Sequence, residues 1–405
     1  MSNPNAFENL VAHLGWLENQ HQDMLDLVRR LCDQNSGSYN LQGLDQVKQM
    51  LVAEFQTLGG QLEILDVDPQ TKVDDSGNMI QQPLGQAIHI AKHPDAKTQI
   101  MLCIHMDTVY SVDHPFQSCV DLKDGNVNGP GVIDAKGGLV VMLYALRMLE
   151  QSPLAGQIGW QVLINPDEEL GSPGSAALVK AMAPSCDFGL LFEPSLPDGT
   201  LVSWRKGVGN FSFVLRGKSA HSGREFEKGR NAIVALAKLI EEVAAMNTDP
   251  EVTLNVGRVS GGTALNMVPD LAVGRVNVRV KTLEQAARVE SDLQQLAERY
   301  DSVEGFACEM HGRFTSPPKQ LSPEAQQLQQ RIEQCGNVLG MDIKWRGTGG
   351  ASDGNKFAAA GLPNIDTLGP RGGNIHTSDE YLIPESLVER AKLTAMILMS
   401  FSESG

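Results

Sequence analysis

What this sequence lacks narrows it before any motif is read. Its six cysteines, Cys32, Cys103, Cys119, Cys186, Cys308 and Cys335, stand far apart, with no Cys-x-x-Cys pair. Reduced thiols in a reducing compartment are expected rather than a disulfide framework. There is no basic excess: 33 Lys and Arg face 49 Asp and Glu, a formal net charge of -16. Such a chain has nothing to spare for neutralising phosphates, which argues against a nucleic-acid partner. No apolar run approaches the length of a membrane span, so no membrane is expected. The start, Met-Ser-Asn-Pro-Asn-Ala-Phe-Glu, lacks the basic-then-apolar order of a secretory leader, and the cytoplasm follows as the default. No internal repeat or low-complexity tract stands out. The remainder is ordinary globular composition, 41% hydrophobic and 20% charged over 405 residues, long enough for two domains.

The stretch Ile100–Tyr110 organises what is there. It opens as a continuous apolar run, the pattern of a strand buried on both faces. It closes on His105 and Asp107, two residues apart and so on one side of a strand. Such a pair also occurs at ordinary loop entries. A histidine beside a carboxylate is nevertheless the usual pairing of a metal ligand and the group that orients it. Strand ends are also where open α/β sheets build their sites.

Other strand ends carry acids. Gln157–Ile164 reads as a buried strand and runs into Asp167, Glu168 and Glu169. Three adjacent acids raise one another's pKa unless solvent or a cation relieves them. Phe188–Phe192 is a short apolar strand that runs into Glu193. Before them, the glycine-crowded segment 128–138 holds Asp134 and Lys136, without the spacing of a phosphate-binding loop. An apolar helix over Leu139–Leu149 follows it. Further strands are expected at Gln61–Leu65 and Gln86–Ala91, with helical faces at Met24–Leu31 and Leu44–Leu58. The polar segment Pro69–Gln82 reads as a loop.

Near Leu201–Lys206 the character changes. Val208–Met310 reads as strand, helix, strand, strand, helix, strand. The strands are Gly209–Leu215, Val252–Val259, Ala272–Val280 and Val303–Met310, and the helices Arg230–Met246 and Leu283–Tyr300. That order is the split βαβ, ferredoxin-like arrangement. After Pro317-Pro318 the α/β pattern returns, with helices at Pro323–Leu339, Asn355–Ala360 and Pro384–Met399 and a strand at Asn364–Leu368. Ser352 before the second helix looks like its cap. The fold class is therefore α/β, a central mixed sheet flanked by helices with an inserted ferredoxin-like α+β domain. The expected division is 1–205 and 314–405 for the catalytic domain and 206–313 for the insertion.

Together the candidate groups are His105, Asp107, Asp134, Glu168, Glu169, Glu193 and His376. Two imidazoles with several carboxylates suit zinc or a similar divalent cation. Five such ligands suffice for two metals that share a carboxylate, a common hydrolytic arrangement. Each residue alone has an ordinary structural explanation; the series at successive strand ends and loops does not.

The blocks His105-Met-Asp-Thr-Val-Tyr, Asp134-x-Lys-Gly-Gly, Glu168-Glu169 and the late His376 resemble the di-zinc exopeptidases and deacylases. That family includes glutamate carboxypeptidase, acetylornithine deacetylase, succinyl-diaminopimelate desuccinylase and aminoacylase, and the sequence is most similar to the bacterial glutamate carboxypeptidase branch. The resemblance implies two divalent cations, zinc first, with cobalt or manganese as substitutes. It implies that Asp134 bridges them, that His105 and Glu193 complete one site, and that Glu169 and His376 complete the other. Asp107 would hold His105, and Glu168 would be the general base toward a metal-bridging hydroxide. A cis peptide is implied at Asp134–Ala135, where many relatives carry a second aspartate in place of Ala135. His221 would reach the partner subunit's site across a homodimer built on the inserted domain. Asn266, Arg279, Lys206 and Arg313 would hold the substrate carboxylate. The implied activity is cleavage of the amide of a peptidyl or N-acyl amino acid with a free carboxylate, led by a glutamate-type carboxypeptidase. The alternatives are an N-acyl amino acid deacylase and a catalytically silent binding protein on the same fold.

Overall fold

The apolar run at Ile100 lies in the strand Thr98–His105, whose last six residues are all buried. This computed structural model describes residues 4–402. Alternation sends Ile100, Leu102 and Ile104 into one core, and Met101 and Cys103 into another on the opposite face. The strand sits inside a six-stranded sheet of order Gln61–Leu65, Ala87–Lys92, Ile158–Asn165, Thr98–His105, Phe188–Leu191, Asn364–Asp366. The first two pairings are antiparallel and the remaining three parallel. A sheet of this kind needs helices on both faces. One face carries Gly137–Gln151, which packs against His21–Cys32 and Glu385–Met399. That helix is buried around nearly its whole circumference, so its sequence shows no polar stripe. The other face carries Ala176–Met182 and Asp353–Ala359, which contribute Val179 and Phe357 to the smaller core.

The second unit is a four-stranded antiparallel sheet, in order Thr253–Gly261, Leu271–Val280, Gly207–Arg216, Ala307–Ser316. Its helices, Ala232–Ala245 and Leu283–Asp301, share one core with Phe211, Phe213, Val276, Val278 and Cys308. The opposite face carries Asn210, Arg275, Asn277 and Arg279, all only partly buried or exposed. The strand expected from Val303 begins instead at Ala307 and continues to Ser316. The chain first turns through Gly305, whose φ of +84° lies in the left-handed region.

Pro69–Gln82 is not a loop. It forms a hairpin of Gln70–Val73 with Met79–Gln82. The Asp74 carboxylate accepts the amides of Ser76 and Asn78, each at 2.8 Å, and closes the turn. The hairpin docks on the second sheet, where Val73 joins Val214 and Val273. Asp75 pairs there with Arg275 at 2.8 Å and with Arg258. All six cysteines are unpaired. Among the described residues no helix is long and apolar enough to cross a membrane.

Candidate metal centre

Three adjacent parallel strands of the large sheet end side by side. Thr98–His105 ends on His105, Ile158–Asn165 runs on to Glu168 and Glu169, and Phe188–Leu191 runs on to Glu193. The carboxyl end of a parallel sheet is where loops can converge on a site. Asp134 arrives from the glycine-rich turn, whose Asp134–Ala135 peptide is cis as expected. His376 arrives from the late loop with a φ of +63°.

The donors meet in two sets of three, His105 with Asp134 and Glu193, and Asp134 with Glu169 and His376. Within each set the atoms lie within 4.8 Å of one another. His105 Nε2 is 3.2 Å from Asp134 Oδ1 and 3.8 Å from Glu193 Oε2. His376 Nε2 is 3.3 Å from Asp134 Oδ2 and 3.1 Å from Glu169 Oε2. Asp134 thus offers one oxygen to each set. The other ring nitrogen, His105 Nδ1, lies 2.9 Å from the Asp107 carbonyl oxygen. That contact assigns Nδ1 as donor, so that in the neutral ring Nε2 would turn its lone pair toward Asp134.

The carboxylate of Asp107 has a second task beside the one expected of it. Its nearer oxygen is 3.4 Å from His105 Nδ1, beside the Asp107 main-chain carbonyl at 2.9 Å. The carboxylate accepts Ser38 Oγ at 2.6 Å and the amides of Glu168 and Glu169 at 3.0 and 3.2 Å. Asp107 therefore fixes the turn that presents both glutamates.

Electrostatics tie these groups together. Burial alone would lower the His105 imidazole, yet its contacts with Asp107, Asp134 and Glu193 push it well above its usual value. Hydrogen bonds to Asp134 and Glu169 push His376 up to about 11. Burial and the charge of Asp134 raise Glu169 to about 7. Burial and the charge of Glu193 push Glu168 well above the usual range. Buried carboxylates that hold a proton so firmly on an imidazole would hold a metal cation at the same place. Glu169 Oε1 is also buried without a hydrogen-bond partner among the described residues. The donor set fits a pair of divalent cations with nitrogen and oxygen preference.

The remaining expected substrate and partner-site residues fall in four places. Arg279 lines the cavity of about 530 Å³ over the donors, together with Glu168 and Glu193. His221 and Asn266 lie together but apart from that cavity: His221 bridges to Met267, and the Ser222 amide donates to the Asn266 carbonyl at 3.0 Å. Lys206 Nζ donates to the Glu251 carbonyl at 2.7 Å, and Arg313 lines a neighbouring cavity. Ser352 caps the helix from Asp353, as expected.

Two residues that shape the site carried no motif. Glu380 is buried, and its carboxylate accepts the amides of Gly131, Ile133 and Asp134 and the Tyr110 hydroxyl, all within 3.1 Å. It moulds the loop that delivers Asp134. Arg205 lines the cavity and is paired with the buried Asp366.

Known proteins give the same picture. Residues 101–400 match the model of the family described as Peptidase family M20/M25/M40. Carboxypeptidase G2 of Pseudomonas sp. (strain RS-16) is 28% identical over 323 residues, 74% of this chain and 73% of that protein. Among solved structures, the di-peptidase Dug1p of Saccharomyces cerevisiae matches with a TM-score of 0.73 at 14% identity, covering 98% of this chain and 99% of that one. The Bacillus subtilis YXEP protein, described as a dinuclear metal binding peptidase, matches with a TM-score of 0.65 at 18% identity, covering 96% and 100%. At these identities the two structural likenesses speak for the fold.

Proposed function

The chain belongs to peptidase family M20/M25/M40, and on that premise we propose that it hydrolyses the amide of a peptidyl or N-acyl amino acid with a free carboxylate. Its leading form is a glutamate-type carboxypeptidase. The observation that carries this is Asp134, with one oxygen facing each of two imidazoles and a further carboxylate completing each set. His105, Asp134 and Glu193 would hold one divalent cation, and Asp134, Glu169 and His376 a second. Zinc suits this mixture of nitrogen and oxygen donors, with cobalt or manganese as substitutes. When bound, such cations lower the pKa of water and polarise a carbonyl.

The chain's own residues supply the rest. Glu168, half-buried in the cavity wall and raised in proton affinity beside Glu193, takes the proton of the attacking water and returns it to the leaving amine. Asp107 is a positioning residue, acting through the amides of Glu168 and Glu169. Arg279 offers a guanidinium to the substrate carboxylate from the cavity wall. Asn266 and Lys206 would assist once the two units close on the substrate, and Arg313, in the neighbouring cavity, would reach a more distant carboxylate. Residues 206–313 act as the lid and dimer-forming domain between the catalytic segments 1–205 and 314–405. His221 acts in the partner subunit's cavity, a role supported by its position away from its own. The six unpaired cysteines support a reducing compartment such as the cytoplasm.

The test is metal analysis of the purified protein together with a substrate panel. Two divalent ions per chain and release of C-terminal glutamate from dipeptides are expected. Strict preference for acetylated amino acids would replace the carboxypeptidase by a deacylase. No metal uptake from a zinc-containing buffer would leave only a silent binding protein.

A further inference from the structure

The open face of the inserted sheet bears more positive charge than one substrate carboxylate requires. Along Leu271–Val280, Val276, Val278 and Val280 turn toward the helices, while Arg275, Asn277 and Arg279 share the opposite face. Two cavities lie over that face. The one over the metal donors is lined by Arg279, and a second of about 910 Å³, beside the hairpin, is lined by Arg275 and Arg313. Asn210, Asn277 and Thr315 line both, so the two spaces adjoin along the strands. At about 3.3 Å per residue, Arg275 and Arg279 stand about 13 Å apart, a span of several bonds of extended peptide.

The second cavity is cationic in a chain of net charge -16. Lys72, Arg258, Arg275 and Arg313 line it, against the single lining carboxylate of Asp68. Asp75 alone serves both Arg258 and Arg275. Arg275 Nη2 is satisfied by Asp75 at 2.8 Å and the Val73 carbonyl at 3.1 Å. Its Nη1 is buried without a partner among the described residues. Arg313, on the adjoining strand, makes no side-chain ion pair or hydrogen bond among the described residues. The Arg313 guanidinium, left with free donors beside the cavity, matches carboxylate oxygens in charge and geometry, and Arg275 adds its charge beside it.

We propose that this second cavity is a subsite for an acidic extension of the substrate. The leaving segment is then a peptide with two or more carboxylates, laid along the open face with one on Arg279 and the next on Arg275 and Arg313. The inference rests on the hydrolase reading of the metal centre; on substrates with an acidic extension it replaces release of a single C-terminal residue by release of the whole acidic peptide. The bond chemistry is unchanged: the water oxygen joins the acyl carbon, the C–N bond breaks, and the proton passes to the amine of the released acidic peptide.

Calorimetric titration of the full chain carrying Glu168→Gln, which suppresses turnover, with triglutamate against trialanine at the same ionic strength reads the subsite by binding alone. Triglutamate is expected to bind at least about tenfold more tightly, and Arg275→Gln or Arg313→Gln each to remove about tenfold, the worth of one charge-assisted contact. Arg275→Gln also frees Asp75 and can loosen the hairpin; Arg313→Gln breaks no side-chain ion pair or hydrogen bond among the described residues and keeps the test sharp. In parallel, N-acetyl-alanyl-glutamyl-glutamate is expected to release intact glutamyl-glutamate first, by mass spectrometry. Both variants should lower its kcat/KM relative to that of N-acetyl-alanyl-glutamate. Equal binding of the two tripeptides, unchanged binding in both variants, or free glutamate as the first product would overturn the subsite. Tight triglutamate binding, weakened in both variants, with neither substrate cleaved would support the subsite and refute the hydrolase reading.

Discussion

Replacing Asp366 by Asn leaves two buried cations around a neutral amide. In the native protein Asp366 accepts Arg205 Nε at 2.9 Å and Nη2 at 2.8 Å on one oxygen, and Lys319 Nζ at 2.6 Å on the other. Asp366 is 0% exposed and Lys319 2%. Burial by itself would raise the carboxyl, but the two cations hold it from an ordinary 3.8 down to about 2. A shift of nearly two units is worth about 2 kcal/mol of stability. Because the folded value is the depressed one, that stability is complete above about pH 4 and is lost as pH falls toward 2. The variant fares worse than protonation alone, since removing the acceptor strands both cations, and such losses run to about 3–5 kcal/mol. Urea unfolding at pH 7 should therefore show Asp366→Asn less stable by that amount. The gap should narrow as the pH is lowered from about 4 to about 2, where the native carboxylate is itself protonated. Adding Lys319→Met removes one stranded charge and should recover part of the loss, a coupling that a double-mutant cycle measures. A deficit below about 1 kcal/mol, a gap that widens on acidification, or a double variant worse than the sum of its parts would refute the counter-ion argument.

Other perturbations separate the roles at the cavity. Glu168→Gln should cut kcat by about 10²–10⁴-fold while metal content and melting temperature stay near native, as expected of a proton carrier outside both donor sets; native turnover would remove that role. His376→Ala takes one donor from the second set only, so metal analysis should read about one ion fewer per chain, with the first retained. Equimolar mixing of inactive His221→Ala with inactive His376→Ala, after dissociation and reassociation, should restore activity in mixed dimers; a mixture as silent as its parents would rule out action across subunits. Asp75→Ala releases Arg258 and Arg275 from the hairpin, and hydrogen exchange should lose protection over residues 70–82 while the large sheet keeps its own.

The parts of the site that were legible are those with a signature along one strand. An apolar run that stops at His105, another that stops before Glu168 and Glu169, and a third that stops before Glu193 announce buried strands feeding one edge. Asp134 was marked by the glycines that let its loop approach. Asp366 and Glu380 had no such mark. An acid closing the strand Asn364–Asp366 gains its meaning from Arg205, 161 residues earlier, and from Lys319. Glu380 gains its meaning from amides 246 to 249 residues before it. Asp107 was legible only in part: period-two spacing put its carboxylate beside His105, where one oxygen lies 3.4 Å from Nδ1. The turn at the strand end also brings the Asp107 carbonyl to the imidazole and the carboxylate to the amides of the next turn.

The hairpin at 70–82 was hidden for a related physical reason. A strand announces itself by apolar alternation only when the surface it covers is apolar. This hairpin covers a sheet face carrying Arg258 and Arg275, so its own contacts are one valine, one carboxylate and a few carbonyls. The polarity that disguised it as a loop is the complement of a cationic face. An Asp75 that must divide itself between two arginines leaves that face short of negative charge, which an acidic ligand can supply.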